Sequence, residues 1–215
     1  MHEASLSFLK YGLSKRFRLS YPEDETKRPW LGLLFEAYAL MDAGVAVAVK
    51  RRSEIEGVGM ACKEGCDHCC KNRPVAVTTC EVAGISWYVA EKLPIAERVQ
   101  VKEALKTFNR LSGCPFILDG SCAIYPLRPM ACRMHNVLDT PCTANEDPTM
   151  ERLGDMVTPD LDVTREAWRI LLGFWGFRSA KAKQKAIEKN FISQVFTYMH
   201  EVRWQRVSSH LDRLD

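Results

Sequence analysis

The sequence predicts a mainly α fold, a small helical domain with a loop-rich, cysteine-clustered centre. Three observations carry this: long segments with apolar residues three and four apart, a central stretch dense in Cys, Pro and Gly, and no run of alternating strands. The 215 residues are 47% apolar, enough for one ordinary core. A single domain is expected, with an N-terminal helical region at 1–59, a cysteine-rich core at 60–143 and a C-terminal helical region at 144–215.

Residues 1–28 read as polar and irregular, ending in the charged run Glu23 to Arg28, a solvated approach to a helix. Residues 1–20 hold one acidic and four basic side chains and no long apolar run. They predict neither a secretory signal nor a membrane anchor, and fit an amphipathic segment better than an organelle-targeting one. Pro29 suits a first helical position, and Leu31, Leu34, Phe35, Tyr38, Met41, Val45 and Val49 predict one long amphipathic helix over 30–56, ended by Gly57 and Gly59.

Thr78 or Thr79 is placed to cap a helix running to about Leu93, with Ile85, Tyr88 and Val89 inward. After Pro94 the pattern Val101, Leu105, Phe108, Leu111 predicts a second helix over 95–112, with Gly113 as its stop. Pro115, Gly120, Pro126, Pro129 and Pro141 then predict turns and one short helix near 127–134. Helices are expected again at 164–177 and 181–204, the latter turning Ile187, Phe191, Val195, Tyr198, Met199 and Val202 to one side. No transmembrane span or internal repeat is read from the chain.

Thirty basic against 27 acidic residues leave a net charge of +3, short of a nucleic-acid-binding footprint. Nucleic acid and membrane are therefore not expected partners.

All nine cysteines fall between positions 62 and 142. The odd count, the adjacent Cys69 and Cys70 and the missing export signal argue for a reducing, cytoplasmic setting and for metal rather than disulfides. The first group is Cys62, Cys66, Cys69 and Cys70. On a helix these would share one face; in a turn, Cys66 and Cys69 have the spacing of a chelating loop. The second group, Cys114, Cys122, Cys132 and Cys142, is too widely spaced for one knuckle, so only folding can bring it together. Four thiolates suit a tetrahedral zinc ion or one iron–sulfur cluster, and eight could fill two sites. Adjacent Cys69 and Cys70 favour a cluster, of the 4Fe–4S kind.

Lys63, Lys71, Arg73, Arg128 and Arg133 lie beside the cysteines and could offset the excess negative charge of a thiolate shell. Cys80, at a helix start, reads as a small core residue, and His68 and His135 as bystanders. Trp168, Phe174, Trp175 and Phe177 read as core rather than a cofactor box.

The order Cys62, Cys66, Cys69, Cys70, then Cys114-Pro115-Phe116, Gly120-Ser121-Cys122-Ala123-Ile124-Tyr125, Arg128-Pro129, Cys132-Arg133 and Cys142 resembles the YkgJ-type CxxCxxCC cysteine-cluster family over about residues 60–143. The resemblance implies a zinc- or iron-chelating domain. Some members of that family are described as iron–sulfur proteins or oxidoreductases, and flagellin lysine methylases belong to it. Here three residues rather than two separate Cys62 from Cys66. The functions left open are an iron–sulfur oxidoreductase or protein-modifying enzyme, a structural zinc module with a protein partner, and a lysine N-methylase-like activity; the sequence does not decide whether the chain is an enzyme.

Overall fold

A computed structural model describes residues 8, 11, 17–63, 65–110, 113–144 and 146–211. The architecture is mainly α, with a few strands of two or three residues. In chain order the helices are α1 (Pro22–Lys27), α2 (Pro29–Glu56), α3 (His68–Asn72), α4 (Thr79–Glu91), α5 (Ile95–Thr107), α6 (Met130–Arg133), α7 (Pro148–Glu151), α8 (Leu161–Leu171), α9 (Ala180–Glu188), α10 (Phe191–Val195) and α11 (Trp204–Leu211). The chain divides into two compact units. One holds the chain up to Gly59 with Arg133–Asn136 and Val157–Phe196; the other holds Met60–Cys132, Val137–Met156 and the chain from Thr197 onward.

In the first unit α2 begins at Pro29 and ends at Gly57, whose φ of 73° is the left-handed conformation that closes helices. Leu31, Leu34, Phe35 and the run Ala37–Met41 are all buried, so the first half of α2 is enclosed rather than covered on one face. By length and apolar content α2 would pass as a membrane-spanning helix; 56% of its apolar stretch is buried within the protein, with α8 as its chief neighbour. Gly44 permits that close approach, since a Cβ there would lie 2.8 Å from both Pro159 Cβ and Val163 Cγ1. Phe174, Trp175 and Phe177 join Trp30 and Phe191 in a chain of edge-to-face aromatic contacts with centroids 4.9–5.9 Å apart, a packing role for these rings.

The charged run before α2 differs from expectation, for Pro22–Lys27 is itself helical. Pro22 stands at the first position, three acidic residues occupy the first turn and Lys27 the last, an order that suits the helix dipole. Arg18 fixes its start, donating to Glu25 at 2.6 Å and to Glu36 at 3.0 Å. The readings made on residues 1–7, 9–10 and 12–16, and on Leu111, lie outside the described residues.

In the second unit α4 opens with a capping box, Thr78 accepting from Glu81 N–H while the Glu81 carboxylate accepts from Thr78 N–H at 2.7 Å. Ile85 and Val89 are buried, but the third inward position belongs to Trp87, and Tyr88 is only half-buried. Helix α5 stops at Thr107, not 112, because Phe108 turns to extended backbone (ψ 129°) and its carbonyl accepts from Gln205 of α11 at 2.6 Å. A tertiary contact overrides the local helical pattern.

The single helix expected over 181–204 is divided into α9, α10, a strand at Phe196–Tyr198, a 3-10 turn at Met199–Glu201 and the start of α11. Asn190 takes a left-handed φ of 50°, which breaks the helix, and the β-favouring Phe-Thr-Tyr run follows. Tyr198 is exposed rather than inward, whereas Met199 is buried and its N–H donates to Val75 O at 2.7 Å. Trp204, fully buried, donates to Met199 O at 2.7 Å and meets Phe116 edge-on at 4.9 Å.

Candidate metal centre

The cysteines lie in the second unit, where local structure fixes most of them. Cys62 is held by a pairing of the chain before it, where Met60 bridges Leu138 and Ala61 N–H donates to Val137 O at 2.9 Å. Val137 N–H then donates to Cys62 Sγ at 3.2 Å. Cys66 follows a turn through Gly65 (φ 85°), and Cys69 and Cys70 stand in the first turn of α3. The helix begins at His68, so the one-face helical reading of all four cysteines fails: two lie on loop and two on helix.

Cys114 is joined to the first group directly. Its N–H donates to Cys70 O at 2.8 Å. Gly113 makes that approach possible, because a Cβ there would lie 2.9 Å from Cys70 O and from Lys71 Cα. Cys122 ends a hairpin, Ile117 facing Cys122 across a turn in which Asp119 (φ 48°) and Gly120 (φ 78°) are both left-handed. Cys132 lies in α6, whose first N–H, that of Met130, donates to Glu81 Oε1 at 2.7 Å. Thus 43 residues of intervening chain return Cys114 to Cys70, and the two sequence groups become neighbours.

Their electrostatics link them in two overlapping sets, with Cys69 common to both. Burial pushes the Cys114 thiol up to about 12, with Cys132, Cys122 and Cys69 adding to the effect. Burial likewise pushes Cys132 up to about 12; Cys69 and Cys122 add to this, while Arg73 and Arg128 oppose it. Cys69 is raised first by its hydrogen bond with Cys70 and then by burial. Cys69, Cys114, Cys122 and Cys132 therefore share one field. Cys62, raised by burial, feels Cys66, Cys69 and Cys142; Cys142, raised by burial and by Glu146, feels Cys66 and is eased by Arg152. No disulfide joins any of the nine cysteines.

Cys80 is wholly buried at the start of α4, its thiol raised by burial and the Glu81 charge, and it shares no such field with the others. Among the flanking bases, Arg73 and Arg128 act on Cys132, with Arg128 also resting 4.3 Å from the Tyr125 ring centroid. Lys71 is paired with Asp67 at 3.1 Å, and Arg133 turns to Asp42 and the Tyr38 ring. Sequence reading missed Arg152, ten residues beyond Cys142, whose guanidinium binds Glu146, Asp155 at 3.1 Å and the Thr140 carbonyl at 3.1 Å while reaching Cys142 Sγ at 3.7 Å. Half-buried His68 keeps a buried Nδ1 without a hydrogen-bond partner.

The donor set fits a thiophilic metal in kind. It does not form a closed shell: among the described residues no three His, Cys, Asp or Glu side chains converge as ligands of one ion.

Raised thiols have a consequence for the metal-free protein. An acid whose folded pKa exceeds its unfolded value of 9.0 contributes stability that is complete below pH 9 and is lost as pH rises toward about 12. The urea midpoint of the metal-free chain should fall between pH 8 and 10.5, and fall less steeply in Cys132→Ser. Equal slopes in both proteins would contradict the assignment.

Cysteines carried on loops and on short helices are thus collected in the second unit. Residues 61–152 match the CxxCxxCC family, described as "Putative zinc- or iron-chelating domain". The matched stretch runs from the pairing that holds Cys62 to Arg152 beside Cys142 and contains all nine cysteines. No curated protein and no solved structure matches.

Proposed function

We propose that the protein binds an iron–sulfur cluster through Cys69, Cys114, Cys122 and Cys132, with Cys62, Cys66 and Cys142 as a second thiol set that feels the first through Cys69, and with Cys70 hydrogen-bonded to Cys69. The observation that carries this is the shared field of Cys69 with three cysteines 45 or more positions later in the chain. Buried thiols that resist ionisation alone are ionised readily when a cation shares them, which is the chemistry of a chelating site. Arg73 and Arg128 supply positive charge where four thiolates around a doubly charged centre would leave about two negative charges. A bound cluster would supply one-electron redox chemistry or an iron corner for substrate. The adjacent Cys69 and Cys70 favour the cluster over a single zinc ion, because one tetrahedral ion has less use for neighbouring thiols.

Anaerobic purification tests this. The expected protein is brown, contains iron and acid-labile sulfide, and bleaches with dithionite. Colourless protein with stoichiometric zinc would overturn the cluster and keep chelation; protein without either metal would overturn both.

A further inference from the structure

Beside the thiols, on the second unit, lies a cavity of about 400 Å³, a volume suited to a small metabolite. Its wall includes Cys70 and Cys114 and the basic residues Lys71, Arg73, Arg110 and His200. No acidic side chain is among the described residues lining it.

We propose that this cavity is a binding site for a small oxyanion, a molecule bearing a carboxylate or phosphate, held by Arg73 and Arg110 against the thiol cluster. The proposal goes beyond chelation and stands on the cavity's own lining, whichever metal the cysteines hold. Arg73 carries the strongest signal. Its Nη2 donates to Ala131 O at 3.3 Å, but its Nε is buried with no hydrogen-bond partner. A buried guanidinium N–H without an acceptor is costly, and a planar oxyanion is the ligand that a guanidinium fork takes with two parallel bonds.

The nearby carboxylates are largely committed elsewhere. Asp67 pairs with Lys71 at 3.1 Å. Glu201, which feels the Arg110 charge, accepts from Thr197 Oγ1 at 2.9 Å and Tyr198 N–H at 3.2 Å, capping its own turn. Lys71 is therefore a secondary contributor, and Arg73 and Arg110 are the recognition pair. An anion so held would lie beside Cys70 and Cys114.

Calorimetric titration of the purified protein at low ionic strength tests this, with succinate and inorganic phosphate as probes and uncharged succinamide as control. At least one anion should bind with one-to-one stoichiometry, and Arg73→Gln and Arg110→Gln should each weaken it by tenfold or more. Arg165→Gln, whose side chain pairs with Asp162 on the first unit, should bind as the unaltered protein does. Binding of succinate alone assigns a carboxylate, of phosphate alone a phosphoryl group. The proposal is overturned if neither anion binds, if succinamide binds equally, if Arg73→Gln and Arg110→Gln retain full affinity, or if Arg165→Gln weakens binding as much as they do. Should Arg73→Gln fail to fold, the exposed Arg110 decides the matter alone. Metal content of the same samples separates the two readings: anion binding without metal sinks chelation only, and metal-loaded protein indifferent to anions sinks the oxyanion site only.

Discussion

Replacing Glu81 by alanine should destabilise the protein by about 3–5 kcal/mol, the largest effect expected of any single side chain near the centre. Its carboxylate, 1% exposed, accepts from Thr78 N–H at 2.7 Å, Thr78 Oγ1 at 2.8 Å and Met130 N–H at 2.7 Å. One side chain therefore caps α4 and anchors the first residue of α6, two positions before Cys132. Alanine would leave buried donors at both ends without an acceptor. Glu81→Gln, which keeps one carbonyl oxygen, should lose roughly half as much. Chemical denaturation measures both, and a loss below about 1 kcal/mol in Glu81→Ala would show that the Thr78 and Met130 donors find other partners.

The second large effect is expected at Gly113. A valine there would drive Cβ and two methyl groups into the backbone of Cys70 and Lys71, and backbone, unlike the end of a flexible side chain, yields only by moving the segment. The hydrogen bond from Cys114 to Cys70 O should break, with a cost of about 2–4 kcal/mol from overpacking and the lost bond together. More telling is the metal content, which should fall with stability because the two cysteine groups are parted. Gly113→Ala should show the same sign at smaller size. A Gly113→Val protein that keeps its full metal load would mean that the contact between Cys70 and Cys114 does not assemble the site.

Much of this arrangement could be read in the sequence, for reasons that are local. Pro29, the apolar spacing and Gly57 bounded α2 because a first-position proline and a left-handed glycine act within one turn of chain. Thr78 announced the start of α4 in the same way, while its reciprocal partner Glu81 became visible only in the structure. Gly120 marked its turn, where it takes a φ of 78°, but the left-handed Asp119 before it was not read. What was not legible depends on distant partners: Phe108 leaves the helix with its carbonyl held by Gln205, and Cys62 is held by Val137. Asn190 is a third kind of case, since asparagine tolerates the left-handed conformation without advertising it, and the pattern across 181–204 passed through it unbroken.

The cysteines show the same division. Their number and grouping pointed to chelation, and the resemblance over residues 60–143 agrees with the matched stretch 61–152. Their electrostatic links, Cys69 to Cys114 and Cys132 and Cys62 to Cys66, Cys69 and Cys142, could not be read from spacing, because 8 or 10 residues of loop can end in any direction. Nor could Arg152 be found, since nothing in its neighbourhood marks it before folding brings it to Cys142.

The most direct test of a thiol centre built by both groups is the metal-to-protein ratio of Cys132→Ser compared with Cys80→Ser, each purified anaerobically and analysed for iron and zinc. A hydroxyl replaces a thiolate ligand poorly. Cys132→Ser should therefore lose most of its metal, while Cys80→Ser, altered at a wholly buried position outside the shared field, should keep the ratio of the unaltered protein. Full metal retention in Cys132→Ser, or equal loss in the two variants, would contradict the account.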